Sequence, residues 1–143
     1  VGSRPRSTDG AFLEQPHARA QGRVGEEAAE GWLRRQGYRI VDRNVCNRAG
    51  ELDVVARDGD VLCFVEVKAR SNRRYGPAIE AVPPSKQRRI ARAAALYLAE
   101  HPTDAPCRFD VLAMDLGDDG WRFHLVRDAF MIPATGYHRR RRR

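Results

Sequence analysis

One helix, three strands, a second helix and two further strands are legible in this 143-residue sequence, and that order predicts an α/β sandwich with a mixed five-stranded sheet flanked by helices. Three observations carry the prediction. An apolar stripe at helical spacing precedes Gly37, and a strand–turn–strand pattern occupies Glu51 to Arg70 around Asp58-Gly59-Asp60. A second helical pattern then separates that hairpin from the nearly all-apolar run Cys107 to Leu116. The hairpin has to be antiparallel, whereas the long connection through the second helix permits a parallel return, so the sheet is mixed.

Each element has its own local reason. Residues 1–23 are rich in Arg, Gly, Ser, Pro and Gln and lack apolar periodicity, which predicts a disordered leader. From Val24 the residues Ala28, Ala29, Trp32 and Leu33 form one stripe, and Gly37 is placed to end the helix. Glu30 and Arg34 pair on its wet side, while Glu26 sits on the edge of the buried stripe and looks inward. Tyr38 to Val45 reads as a strand centred on Ile40 and Val41. The loop from Ser71 to Pro84 is punctuated by Gly76, Pro77, Pro83 and Pro84. Ser85 is a candidate cap for a helix running to about Glu100, with Ile90, Ala94, Tyr97 and Leu98 inward and Arg88, Arg89 and Arg92 on the opposite face. Lys86 lies in line with Ile90 and Tyr97, so its long side chain can reach over the sheet. The apolar run at Cys107 to Leu116 predicts a central strand, interrupted by Asp110. Trp121, Phe123 and Leu125 alternate with Arg122, His124 and Val126 as an outer strand. The domain is expected to span residues 24–132, followed by a disordered basic tail over 133–143.

Composition removes several function classes. No apolar run has the length of a membrane span, so no membrane partner is expected. Cys46, Cys63 and Cys107 are odd in number and lack a C-x-x-C spacing, which argues against a disulfide framework or zinc site and fits a reducing cytoplasm. The net charge of +7 suggests a polyanion partner, but its distribution matters. Arg139 to Arg143 hold five positive charges, and residues 1–23 hold four basic against two acidic groups, leaving the part between neutral. Within it, Arg70, Arg73, Arg74, Lys86, Arg88, Arg89 and Arg92 face only Glu80 and Glu100, a local basic cluster suited to phosphates. Arg88, Arg89 and Arg92 are read first as a solvated face; Arg70, Arg73 and Arg74 follow Lys68 directly.

The chemistry centres on the hairpin. Leu52, Val54 and Ala56 share a face with Val61, Cys63, Val65 and Val67, and the other face carries Glu51, Asp53, Val55, Leu62, Phe64, Glu66 and Lys68. A two-residue loop at Gly59-Asp60 puts Asp53 opposite Glu66, whereas one at Asp58-Gly59 puts Glu51 opposite Glu66 with Asp53 on the diagonal. Either register gathers acids. Paired carboxylates repel unless a cation lies between them, and a hard divalent ion answers that better than Lys68 alone. The reading is a metal-dependent phosphodiesterase site. Asp53 and Glu66 hold Mg²⁺ or Mn²⁺, Glu26 joins from the helix, the Val67 carbonyl is a further ligand, and Lys68 orients or deprotonates the attacking water. Against it stands an exposed Glu66–Lys68 ion pair worth less than about 1 kcal/mol. Asp110 is read as a fourth ligand or, with more weight, as a structural partner for Arg108 or a backbone amide. Trp32 and Trp121 fall at core positions. His17, His101, His124 and His138 are too dispersed for a zinc site.

The succession Gly25-Glu26, Gly37-Tyr38, Asn44, Gly50-Glu51-Leu52-Asp53, Phe64-Val65-Glu66-Val67-Lys68-Ala69-Arg70, Tyr75-Gly76, Lys86 and Arg108-Phe109-Asp110 resembles the YraN family of bacterial proteins. The match spans about Val24 to Ile132. That family looks like a distant relative of archaeal Holliday junction resolvases within the PD-(D/E)XK nuclease superfamily, which implies a restriction-endonuclease-like core. By that resemblance Asp53 matches the first superfamily acid, Glu66 and Lys68 the E-x-K half, and Glu26 the helix glutamate; Leu52 stands where the superfamily's name puts proline. The implied function is a Mg²⁺- or Mn²⁺-dependent endonuclease acting on DNA, branched or junction DNA included. A homodimer is implied too, because a junction offers two symmetric cuts. The alternative is a non-catalytic nucleic-acid-binding or scaffold protein on the same fold. A small-molecule phosphohydrolase is disfavoured by the lack of a Gly-rich phosphate loop.

Overall fold

The structure is a computed structural model that describes residues 20–70 and 82–131. The leader up to residue 19, the loop over 71–81 with Arg73 and Arg74, and the basic tail lie outside the described residues. The element order is α1 (Ala20–Arg35), β1 (Arg39–Asn47), β2 (Gly50–Asp58), β3 (Val61–Arg70), α2 (Pro84–Glu100), β4 (Cys107–Gly117) and β5 (Gly120–Val126). The five strands form one sheet in the order β1-β2-β3-β4-β5. Among the described strands only β3 and β4 pair in parallel, with α2 as the crossover between them. The predicted mixed sheet follows.

Each face of the sheet has its own core. On one side Ala29 and Leu33 of α1 pack with Tyr38, Val54, Ala56, Cys63, Val65, Leu112 and Met114. On the other, Ile90, Ala93, Ala94, Tyr97 and Leu98 of α2 pack with Leu52, Val55, Phe64, Phe109, Val111 and Ala113. Burying side chains such as Leu33 and Phe64 fully is worth about 1.5–3 kcal/mol each. Both sit at or below 1% exposure, so they carry that term in full. Trp32 stacks on Phe123 at 5.1 Å between ring centroids, and Trp121 packs on the same cluster, so both tryptophans serve the core. Cys63 is buried there, and burial pushes its thiol up to about 12, which disfavours the thiolate.

Four local expectations are corrected. Helix α1 begins at Ala20, inside the expected leader, because Ala20, Gln21 and Arg23 are good helix formers at the end of an otherwise low-complexity stretch. Helix α2 has Pro83 as its N-cap and Pro84 as its first residue, with no side-chain cap from Ser85. A proline there loses no hydrogen bond and arrives with a helical φ. Val41 is the extra residue of a bulge between Ile40 and Asp42 and stays 45% exposed instead of centring its strand. Leu52 packs with Val55 and Phe64, not with Val54 and Ala56. Its ladder partner Val45 packs on that same α2 face, and between Val45 and Arg43 lies Asn44 at φ 49°. Strict alternation therefore breaks in both strands at the step that carries Asn44 and Asp53.

The buried acid on β4 has a structural role. Asp110 is fully buried; its Oδ1 accepts from Arg108 Nε at 2.8 Å and the Asp128 N–H at 2.9 Å, and its Oδ2 accepts from the Tyr38 hydroxyl at 2.7 Å. Both partners anticipated for it, Arg108 and a backbone amide, are present. Arg108 also binds Asp58 at 2.8 Å, tying β4 to the hairpin end of β2 and holding the Asp58 carboxyl below its ordinary range. Burial, then the bond to Asp110, pushes the Tyr38 hydroxyl up.

Candidate active site

The site is built from the hairpin outward. Gly59, at φ 66°, supplies the left-handed conformation that the two-residue loop Gly59-Asp60 requires, between the paired residues Asp58 and Val61. The ladder then runs in register to Val54 opposite Val65. Continued one step past its last pair, the same count sets Asp53 across from Glu66, as the loop at Gly59-Asp60 predicts, and the two carboxyls do interact. There the backbone pairing gives way to a side chain: the Val67 N–H donates to Asp53 Oδ2 at 2.8 Å. The acid is thereby held against β3 at the strand kink.

Glu66 is only 7% exposed, so its charge needs a partner inside the protein. Lys86, in the first turn of α2, supplies one, with Nζ 2.8 Å from Glu66 Oε2. Its alignment with Ile90 foretold this reach over the sheet. A cavity of about 280 Å³ opens between the two elements, lined by Gly50, Glu51, Asp53, Glu66, Lys86, Arg89 and Ile90. Burial, reinforced by the neighbouring Glu66 carboxylate, pushes the Asp53 carboxyl up to about 8 against the opposing pull of the Val67 N–H and the Lys86 ammonium. Two acids thus share one corner of the cavity, with the Lys86 ammonium of α2 on Glu66.

The other expected residues fall in different places. Lys68 lies two residues beyond Glu66 on the same face of β3, opposite Ala113, and is half-buried; within 4 Å the described ion pair of Glu66 comes from Lys86 instead. Glu26 is not among the cavity-lining residues. It accepts a 3.4 Å hydrogen bond from Asn44 Nδ2, and Asn44 occupies the β1 step across from Asp53. Glu51 lines the cavity mouth, exposed, with the Cys46 thiol 3.7 Å from its Oε2. Arg88 is exposed on α2, the side chain of Arg70 lies outside the described residues, and Asp110 belongs to the network on the α1 face. Arg89 is a correction: it lines the cavity and not the opposite face of the helix. Positions 86, 89 and 90 are related by i, i+3 and i+4 and so share one face, a signal the sequence contained.

Among the described residues no group of three or more His, Cys, Asp or Glu side chains could hold a metal ion. Asp53 and Glu66 offer an all-oxygen pair, and the Val67 backbone stands beside them. Such a pair suits Mg²⁺, which is commonly held by one or two carboxylates with waters and substrate phosphates completing the shell. No helix among the described residues is long and apolar enough to cross a membrane.

Comparison with known proteins adds the ancestry. A family profile described as "Uncharacterised protein family UPF0102" matches residues 25–114. A UPF0102 protein of Symbiobacterium thermophilum is 52% identical over 115 residues, covering 79% of this chain and 98% of its own length. One from Syntrophus aciditrophicus is 44% identical over 112 residues, covering 78% and 88%, and one from Bordetella parapertussis is 44% identical over 142 residues, covering 92% and 78%.

Proposed function

Starting from the fact that the chain belongs to the UPF0102 family, also called the YraN family, we propose that it is a divalent-metal-dependent endonuclease hydrolysing DNA phosphodiesters on a PD-(D/E)XK-type core. One observation carries the reading. Asp53 and Glu66 come together just past the end of the β2–β3 ladder, inside a cavity that Lys86 and Arg89 also line. Acids for a metal and bases for a phosphate share a single pocket. The ordering of α1, the three-stranded meander and the parallel return of β4 through α2 supports the fold assignment, and Lys68 completes the E-x-K pattern on β3.

The chain's residues divide the work. Asp53 and Glu66, with the Val67 carbonyl, hold Mg²⁺ or Mn²⁺, and Glu26 supports that edge through Asn44. The ion supplies Lewis-acid stabilisation of charge on the phosphate and the leaving oxygen. Lys68 orients the attacking water, while Arg89 and Lys86 bind non-bridging phosphate oxygens and hold the strand in line. Arg88 adds exposed positive charge on α2, and Arg70, Arg73 and Arg74, which follow Lys68 in the sequence, are further candidates for phosphate contacts. The protein acts in the cytoplasm, as a homodimer where the substrate is a junction.

Incubating the purified chain with junction, flapped and plain duplex DNA and Mn²⁺ tests this. Cleavage should fall at least about a hundredfold in Asp53→Ala and in Lys68→Ala, the scale on which loss of a positioned acid–base group acts. Cleavage undiminished in both variants overturns the assignment. A second reading has its own observation: the 2.8 Å Lys86–Glu66 pair already compensates the buried charge, as a non-catalytic DNA-binding protein on this fold would have it. Salt-dependent DNA binding that ignores Mg²⁺ and survives Glu66→Gln would favour that reading.

A further inference from the structure

Lys86 occupies an unusual place in this site. It arises from α2, a separate element from the hairpin that carries the acids, and its ammonium contacts a glutamate oxygen that is almost wholly screened from solvent. Its own side chain keeps 31% exposure, so the same group has a way out toward the cavity and its open side. Arg89, one turn on, lines that cavity without a described ion pair to either acid. A divalent ion on Glu66 and an ammonium on the same carboxylate would stand within a few ångströms of each other in a poorly screened pocket, and the two repel. The pair and the ion are therefore alternatives.

Resting on the reading that Asp53 and Glu66 take a divalent ion, we propose that Lys86 is the site's internal counter-cation: it holds Glu66 while no metal is bound, and it is displaced by the metal toward an incoming phosphate. The displaced ammonium swings on a flexible four-carbon stem, beside Arg89 and on the face that looks into the cavity. Metal and nucleic acid then favour each other's binding, because the ion frees the cation that the phosphate needs and the phosphate draws that cation off the metal's ligand.

The test is calorimetric titration of the full chain with MnCl₂, for the wild type and for Lys86→Met, with Lys86→Gln as a second neutral side chain. Removing a direct cationic competitor should raise Mn²⁺ affinity roughly tenfold or more in both variants, the scale on which an adjacent opposite charge biases a carboxylate. A second readout needs no cleavage. In the presence of Ca²⁺, log Kd for duplex DNA should rise with log salt about one unit more steeply in wild type than in Lys86→Met, and the difference should shrink without the ion. Unchanged or weaker Mn²⁺ binding in both variants, with Glu66→Gln still abolishing it, overturns the counter-cation role and leaves the metal site standing. Absence of saturable Mn²⁺ binding in all the proteins overturns both.

Discussion

Replacing Asp53 with asparagine should make the metal-free protein more stable, and more so as the pH rises. The Asp53 carboxyl ordinarily titrates near 3.8, and burial together with the Glu66 carboxylate pushes it up to about 8 in the fold. An acid whose folded value lies above its unfolded value holds its proton longer in the folded chain. The associated stability is complete below about pH 4 and is lost as the pH climbs toward about 8. Ionising a second carboxyl beside Glu66 in a partly buried pocket, offset by Lys86 and by water, costs about 2–4 kcal/mol. Asparagine keeps an oxygen to accept the Val67 N–H at 2.8 Å but cannot ionise, so it removes the penalty without removing that bond. Urea unfolding in EDTA at pH 5, 7 and 9 reads the effect. The wild type should lose about 2–4 kcal/mol relative to Asp53→Asn over that range, and saturating Mn²⁺ should restore it. Parallel pH profiles for the two proteins would refute the claim that Asp53 is crowded against Glu66.

Two further outcomes concern the fold. Arg108→Met strips the fully buried Asp110 of its 2.8 Å partner and frees Asp58, and thermal or urea unfolding at pH 7 should show a loss of about 3–5 kcal/mol; a loss under about 1 kcal/mol would mean that the network is not closed by Arg108. Leu33→Ala opens a cavity at a fully buried position between α1 and the sheet, and the same measurement should show about 2–4 kcal/mol, while a negligible change would contradict the packing of α1.

Much of this was legible in the residues because period and turn chemistry decide it. The Asp58-Gly59-Asp60 turn admitted two registers, each of which gathers acids, and the observed loop is the one at Gly59-Asp60. The all-apolar run on β4 announced a central strand, and the line from Lys86 to Ile90 announced a lysine reaching over the sheet. The misses are of another kind. The positive φ of Asn44 reverses which face Val45 and Leu52 occupy, and a local backbone kink leaves no trace in a binary pattern of apolar and polar residues. Arg89 was grouped with Arg88 by adjacency in sequence, although helical geometry separates them and sets Arg89 beside Lys86. The cap was assigned to a serine by side-chain preference where the two prolines had already fixed the helix start. Glu26 makes an exposed hydrogen bond to Asn44 outside the cavity lining, a partner that depends on the same kink.

The proposal stands or falls on whether one divalent ion can sit between Asp53 and Glu66. A crystal structure determined with Mn²⁺, using its anomalous signal, measures that directly. The expected result is a peak roughly 2.1 Å from carboxylate oxygens of both residues, with the Lys86 ammonium withdrawn from Glu66. A map with no peak there, and Lys86 still bonded to Glu66 at saturating Mn²⁺, would contradict it.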